Sequence, residues 1–217
     1  MRKIALVDND VLIKGSCYGL LQELTTRLAE TVGILGTARF VVASRLTKSP
    51  SIVDRTQAKA SWDVFLRVTH ELEPTADETE LATSIEEAAV LSGVELDTGE
   101  SQLCAIAILR SVSCFVSGDK RAIIALESLR EDISILALLA GSITCLEQIV
   151  RELIGHLGST DLRARICGEP LVDRSLSICF SCNSPEIAFD GSGLDSYIED
   201  LRRRAPTMLT HLPVLAG

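Results

Sequence analysis

The chain has 217 residues, 47% of them hydrophobic, which suits one domain with an extension or two small domains. That composition excludes intrinsic disorder, and with aromatics at 4% base stacking is not expected as the main mode of binding. The net charge of -9 is gathered in one window, 71–100, which holds ten acids and no Lys or Arg and leaves 21 basic against 20 acidic residues elsewhere. A solvated helix face is the plain reading of that window, and a docking surface for a basic partner on 71–95 the sharper one. Either way a nucleic acid would be repelled there and must be met on another face. No apolar run approaches the ~18 residues of a spanning helix, and MRKIALVDND is too briefly apolar for a signal peptide. Seven cysteines, mostly in apolar surroundings, fit reduced thiols, so a soluble cytoplasmic protein without membrane contact is expected.

In chain order, Lys3 to Val7 reads as a strand buried on both faces and ending at Asp8. Helical periodicity runs from Val11 to Glu30, with Gly33 and Gly36 ending it. Residues 38–48 fit strand or helix. Asp54 to Glu71 and Asp77 to Leu91 are predicted helices separated by Pro74. Next comes the stretch on which the chain is organised: a carboxylate-rich loop with Asp97 and Glu100, a helix apolar all round to Arg110, a strand from Val112 to Val116, and an acidic turn at Asp119. A helix apolar on every side is packed on every side. Lys120 to Arg130 then reads as a helix, Ile133 to Ala137 as a strand and Ser142 to Leu157 as a helix. Strands alternating with helices predict an α/β fold with a central parallel sheet, whose right-handed crossovers bring the strand C-termini to one edge. Beyond Gly158 the texture turns polar. The apolar run 176–180 and the amphipathic helix 194–204 are the regular signals there, giving a domain over 1–157 and an extension over 158–217.

Asp8 and Asp10 at the mouth of the first strand, Asp97 and Glu100 at the buried helix, and Asp119 after the next strand are each explicable as helix caps, Asp97 and Glu100 as a capping box. Their expected convergence on one edge is not explained by capping. Clustered acids raise one another's pKa unless a cation neutralises them, and oxygen-only ligands suit Mg²⁺ or Mn²⁺. Lys120 and Arg121 occupy a first helical turn, which the macrodipole disfavours for cations unless an anion is near.

The segments ALVDNDVLI, LDTGESQLCAIAIL and FVSGDKRAI, in this order, resemble three motifs of the PIN-domain family of metal-dependent nucleases, which includes many toxin–antitoxin ribonucleases; CLEQIV resembles the end of that domain. The resemblance covers roughly residues 1–157 and implies a PIN-like three-layer fold. It implies Asp8, Glu100 and Asp119 as catalytic acids, with Asp10 and Asp97 as further metal ligands. Ser117, Lys120, Arg121, Lys14 and Arg45 are the candidates for substrate contact. RNA is favoured over DNA by the resemblance alone. A further acid that the family usually carries in its second helical segment is replaced in VVASRLTK by Ser44 and Arg45, and Asp10 or Asp97 would have to compensate. The alternative is a non-catalytic PIN-like module that binds nucleic acid or protein. An antitoxin-like partner and a homodimer both stay open. A receiver domain phosphorylated at Asp54 is rejected, because Ser49-Pro50-Ser51 leaves no strand before that residue. Cys179 and Cys182, with Cys167 and His156 upstream, make an incomplete zinc pattern, and buried thiols are favoured.

Overall fold

The computed structural model describes residues 4–28, 31–184, 186–187, 189–211 and 215. The predicted ends at Lys3 and Glu30 lie outside these. Five strands form one all-parallel sheet: β1 (Ile4–Val7), β2 (Thr31–Leu35), β3 (His70–Leu72), β4 (Cys114–Ser117) and β5 (Ile143–Cys145), in the order β3-β2-β1-β4-β5. The chain steps outward from β1 to β3, then returns to the other side of β1 for β4 and β5. The switch point therefore lies between β1 and β4, where crossovers on opposite sides leave a crevice at the strand C-termini.

Alternation along each strand divides the core. In β1, Ala5 and Val7 face one hydrophobic cluster and Leu6 the other; in β4, Cys114 and Val116 oppose Phe115 in the same way. The first cluster is covered by α1 (Asn9–Cys17), α2 (Leu21–Arg27), α3 (Ala38–Lys48), α4 (Arg55–Leu66) and α8 (Leu146–Leu157). The second is covered by α5 (Ala76–Ser92), α6 (Thr98–Leu109) and α7 (Lys120–Leu129). Helices on both faces of a parallel sheet make an α/β fold in three layers.

Residues beyond 158 fold as α9 (Ser159–Gly168), α10 (Arg174–Cys179) and α11 (Ser192–Arg204). They add Leu162, Ile166, Leu176 and Phe180 to the first cluster and Ile198, Leu201 and Met208 to the second. Past α11, Thr210 N–H donates to the Ile143 carbonyl (2.7 Å) and Ile143 N–H to the Met208 carbonyl (3.1 Å), covering the β5 edge.

Several predicted elements are corrected. The helix 11–30 is two helices, because Gly19 turns the chain at φ +64°, a conformation open mainly to glycine. Gly19→Ala is expected to cost about 1–2 kcal/mol, read as a lower urea midpoint with an unchanged m-value. Gly33 does not end a helix but sits inside β2, where a Cβ would come within 2.8 Å of Ile4 Cγ2 and 2.9 Å of Leu72 Cδ1. The glycine admits neighbouring side chains over the strand. The end of the predicted helix 54–71 is the three-residue edge strand β3, too short and too polar to show alternation. The ambiguous 38–48 is helix α3. The strand expected at 133–137 is instead a 3-10 turn, Ser134–Leu139, that buries Leu136 and Leu139, and the strand comes later as Ile143–Cys145. Two cysteines are also corrected. Cys167 and Cys182 form a disulfide and so neither thiol is left for zinc, whereas Cys17, Cys104, Cys114, Cys145 and Cys179 are buried and outside any disulfide.

The acidic window is partly neutralised by arginines from outside it: Glu71 pairs with Arg39, Glu95 with Arg121, and Glu78 is buried against Arg110 at 2.6 Å. The Arg110 hydrogen bond holds the Glu78 carboxyl below its ordinary range. No helix among the described residues is long and apolar enough to cross a membrane.

Candidate active site

Asp8 leaves β1 at the switch point and caps α1, 3% exposed. Its Oδ1 accepts the Val11 N–H (2.8 Å), and its Oδ2 accepts the Ser117 hydroxyl (2.7 Å) and the Gly118 N–H (2.9 Å). The β4–α7 turn thus grips the carboxylate that β1 delivers. Burial, then the charge of Asp10, pushes the Asp8 carboxyl up to about 6 against those three donors. A Cβ at Gly118 would meet the Asp10 carboxylate, which would have to shift to admit it.

Glu100 and Asp97 form the reciprocal capping box of α6: the Glu100 N–H donates to Asp97 Oδ1 (2.8 Å) and the Asp97 N–H to Glu100 Oε2 (2.9 Å). Burial raises the Glu100 carboxyl to about 8; the Asp97 N–H opposes this, while the charges of Asp97, Asp119 and Asp8 reinforce it. Asp119 caps α7, accepting the Arg121 N–H (2.8 Å) and its guanidinium (2.9 Å). Burial pushes its carboxyl up, and the Arg121 bonds and charge outweigh it, leaving it below the usual carboxylate range.

Asp8, Asp10, Asp97, Glu100 and Asp119 all line one cleft of about 860 Å³, with Lys14, Ser44, Arg45, Lys48 and Phe40. α3 also lines the cleft, and no acid enters from it. Ser117 stands behind Asp8 rather than in the cleft. The expected substrate-binding cations divide. Arg45 lines the cleft and is exposed. Lys14 lines it but is held between two carboxylates, Asp10 and Asp173. Lys120 turns away, 2.6 Å from Glu147 and 3.3 Å from the Ser175 hydroxyl, with its ammonium over the Tyr197 ring. Arg121 is engaged by Asp119 and Glu95.

Sequence reasoning missed Lys48 and Phe40, the latter 73% exposed on the cleft wall. Both lay in the segment left open between strand and helix, and spacing by four puts them on the face of Ser44 in either conformation; only the fold shows that this face lines the cleft. It also missed Asp173, which carries the local signal of a cap before an apolar run but nothing that points to Lys14.

The donor set suits a hard divalent cation in chemistry: oxygen ligands only, lining one cleft, with the Asp8, Asp10 and Glu100 carboxyls driven upward by burial and by neighbouring carboxylates. Among the described residues no three Asp, Glu, His or Cys side chains form a ready-made cage. The fit is thus one of donor type and location.

The raised carboxyls have a consequence for metal-free stability. The folded chain binds the Glu100 proton more tightly than the unfolded chain does (about 8 against 4.5), and likewise for Asp8 (about 6 against 3.8). Their stabilising contribution is present at low pH and is lost as pH rises through the folded values. Glu100→Gln is therefore expected to flatten the decline between about pH 6 and 8 and to gain about 2 kcal/mol at the upper end, well under the full shift because the carboxyl reaches cleft solvent. Urea midpoints of both chains at the two pH values measure this, and parallel declines would refute it.

No protein-family model, curated protein or solved structure matches the chain.

Proposed function

We propose that this chain is a PIN-like metal-dependent nuclease that hydrolyses phosphodiester bonds, with Asp8, Glu100 and Asp119 holding Mg²⁺ or Mn²⁺. One observation carries the reading: carboxylates from three distant parts of the sequence line a single cleft at the topological switch point, where Asp8, Asp10 and Glu100 resist ionisation. A divalent ion bound there would supply Lewis-acid activation of water and charge neutralisation at the phosphate. Asp8, fixed by three donors, is the rigid ligand. Among the described residues, Arg45 and Lys48 on α3 are the cleft-lining cations with no carboxylate partner, placed to meet phosphates. RNA rather than DNA rests on the sequence resemblance alone.

The test is cleavage of a generic single-stranded RNA by the full chain with Mn²⁺, against a chelated control. Mn²⁺-dependent products support the reading; Mn²⁺ binding without products favours a second one. That second reading is a non-catalytic PIN-like binding module, and it has its own observation: Ser44 and Arg45 line the cleft where a further acid would complete the ligand set.

A further inference from the structure

Asp10 was expected among the metal ligands, yet its carboxylate already has a cation. Lys14, one turn along α1, places Nζ 2.5 Å from Asp10 Oδ2 and 2.6 Å from Asp173 Oδ2. The Lys14 side chain is 13% exposed and lines the same cleft. Asp173 is itself immobilised, because it caps α10 by accepting the Leu176 N–H at 2.8 Å. The ammonium is therefore held from both sides and is not a mobile arm that could swing to a substrate.

An ammonium in contact with two carboxylates occupies the place a bridging cation would take. It pairs with both, offsets one of their two charges, and fills the space between them. We propose that Lys14 takes the place of a second metal ion: the site binds one divalent cation through Asp8, Glu100 and Asp119, and Asp10 is a partner of Lys14 rather than a ligand. Because Asp173 comes from beyond residue 158, the C-terminal segment then sets the number of ions the site accepts. This deepens the metal-dependent reading and rests on it.

Mn²⁺ is counted on the full chain by titration calorimetry, with the free ion followed by electron paramagnetic resonance. The wild type is expected to bind one Mn²⁺. Asp10→Asn keeps that ion with an affinity within about 3-fold, whereas Asp8→Asn weakens it by about 100-fold or more. Lys14→Gln, which leaves Asp10 and Asp173 without their ammonium, gains a second, weaker ion; should that variant fail to fold, the Asp10→Asn comparison still decides. Two ions on the wild type, or an Asp10→Asn loss as large as that of Asp8→Asn, would overturn the proposal. No Mn²⁺ on the wild type would overturn the metal-dependent reading itself, and the proposal with it.

Discussion

An Asp8→Asn chain is expected to lose Mn²⁺-dependent RNA cleavage by about 100-fold or more while keeping its fold. The amide is isosteric and Asn caps helices as well as Asp, so the Val11 N–H keeps its acceptor. Its NH₂ would then face the Ser117 hydroxyl, which can turn to accept, and the Gly118 N–H, which cannot. Leaving that N–H unpaired costs about 1–3 kcal/mol. Against this, the substitution removes a buried carboxylate whose ionisation is already resisted up to about pH 6. The two effects oppose each other at neutral pH, so the urea midpoint should move little. Cleavage equal to wild type would take Asp8 out of the mechanism, and a chain that no longer folds would show the gripping turn to be mainly structural.

The largest stability effect is expected at Lys120, a residue the sequence suggested for substrate. Its ammonium pairs with Glu147, which is 2% exposed and has one oxygen, Oε2, with no hydrogen-bond partner among the described residues. Lys120→Ala would strand that carboxylate in the core, at a cost of about 3–5 kcal/mol. Replacing both members, Lys120→Met with Glu147→Leu, should restore most of the loss, because a pair of well-packed apolar side chains is roughly neutral relative to a buried ion pair. The double-mutant cycle of Lys120→Met, Glu147→Leu and the two together, followed in urea, measures the coupling. A single Lys120→Ala loss below about 1 kcal/mol would mean the pair is solvated in solution and the lysine available for substrate.

The elements legible in the sequence were those whose cause is local. β1 is a short apolar run closed by an acid. α5 has a capping box at Thr75 and Glu78 and a left-handed Gly93 at its end. α6 is apolar on every face because it is packed on every face. The acids were legible for the same reason, since each sits at a strand end or a helix cap, and such places are marked by neighbours in sequence. The elements that were misread are short or interrupted. β3 and β5 have three residues each, and pairing with β2 and β4 holds them where their own patterns do not. Gly33 was misread because its role is set by Ile4 and Leu72 on the adjoining strands.

By itself the sequence determined an α/β chain with wound helices, a buried central helix, and carboxylates delivered to the ends of β1, β4 and the start of α6. Only the tertiary structure decided which charges are already spent. Lys14 belongs to Asp10 and Asp173, Lys120 to Glu147, and Arg121 to Asp119 and Glu95, which leaves Arg45 and Lys48 lining the cleft together with the acids. Caps and strand ends follow from residues a few positions apart, whereas an ion pair between α1 and α10 depends on how the whole chain is wound, and no local pattern encodes that.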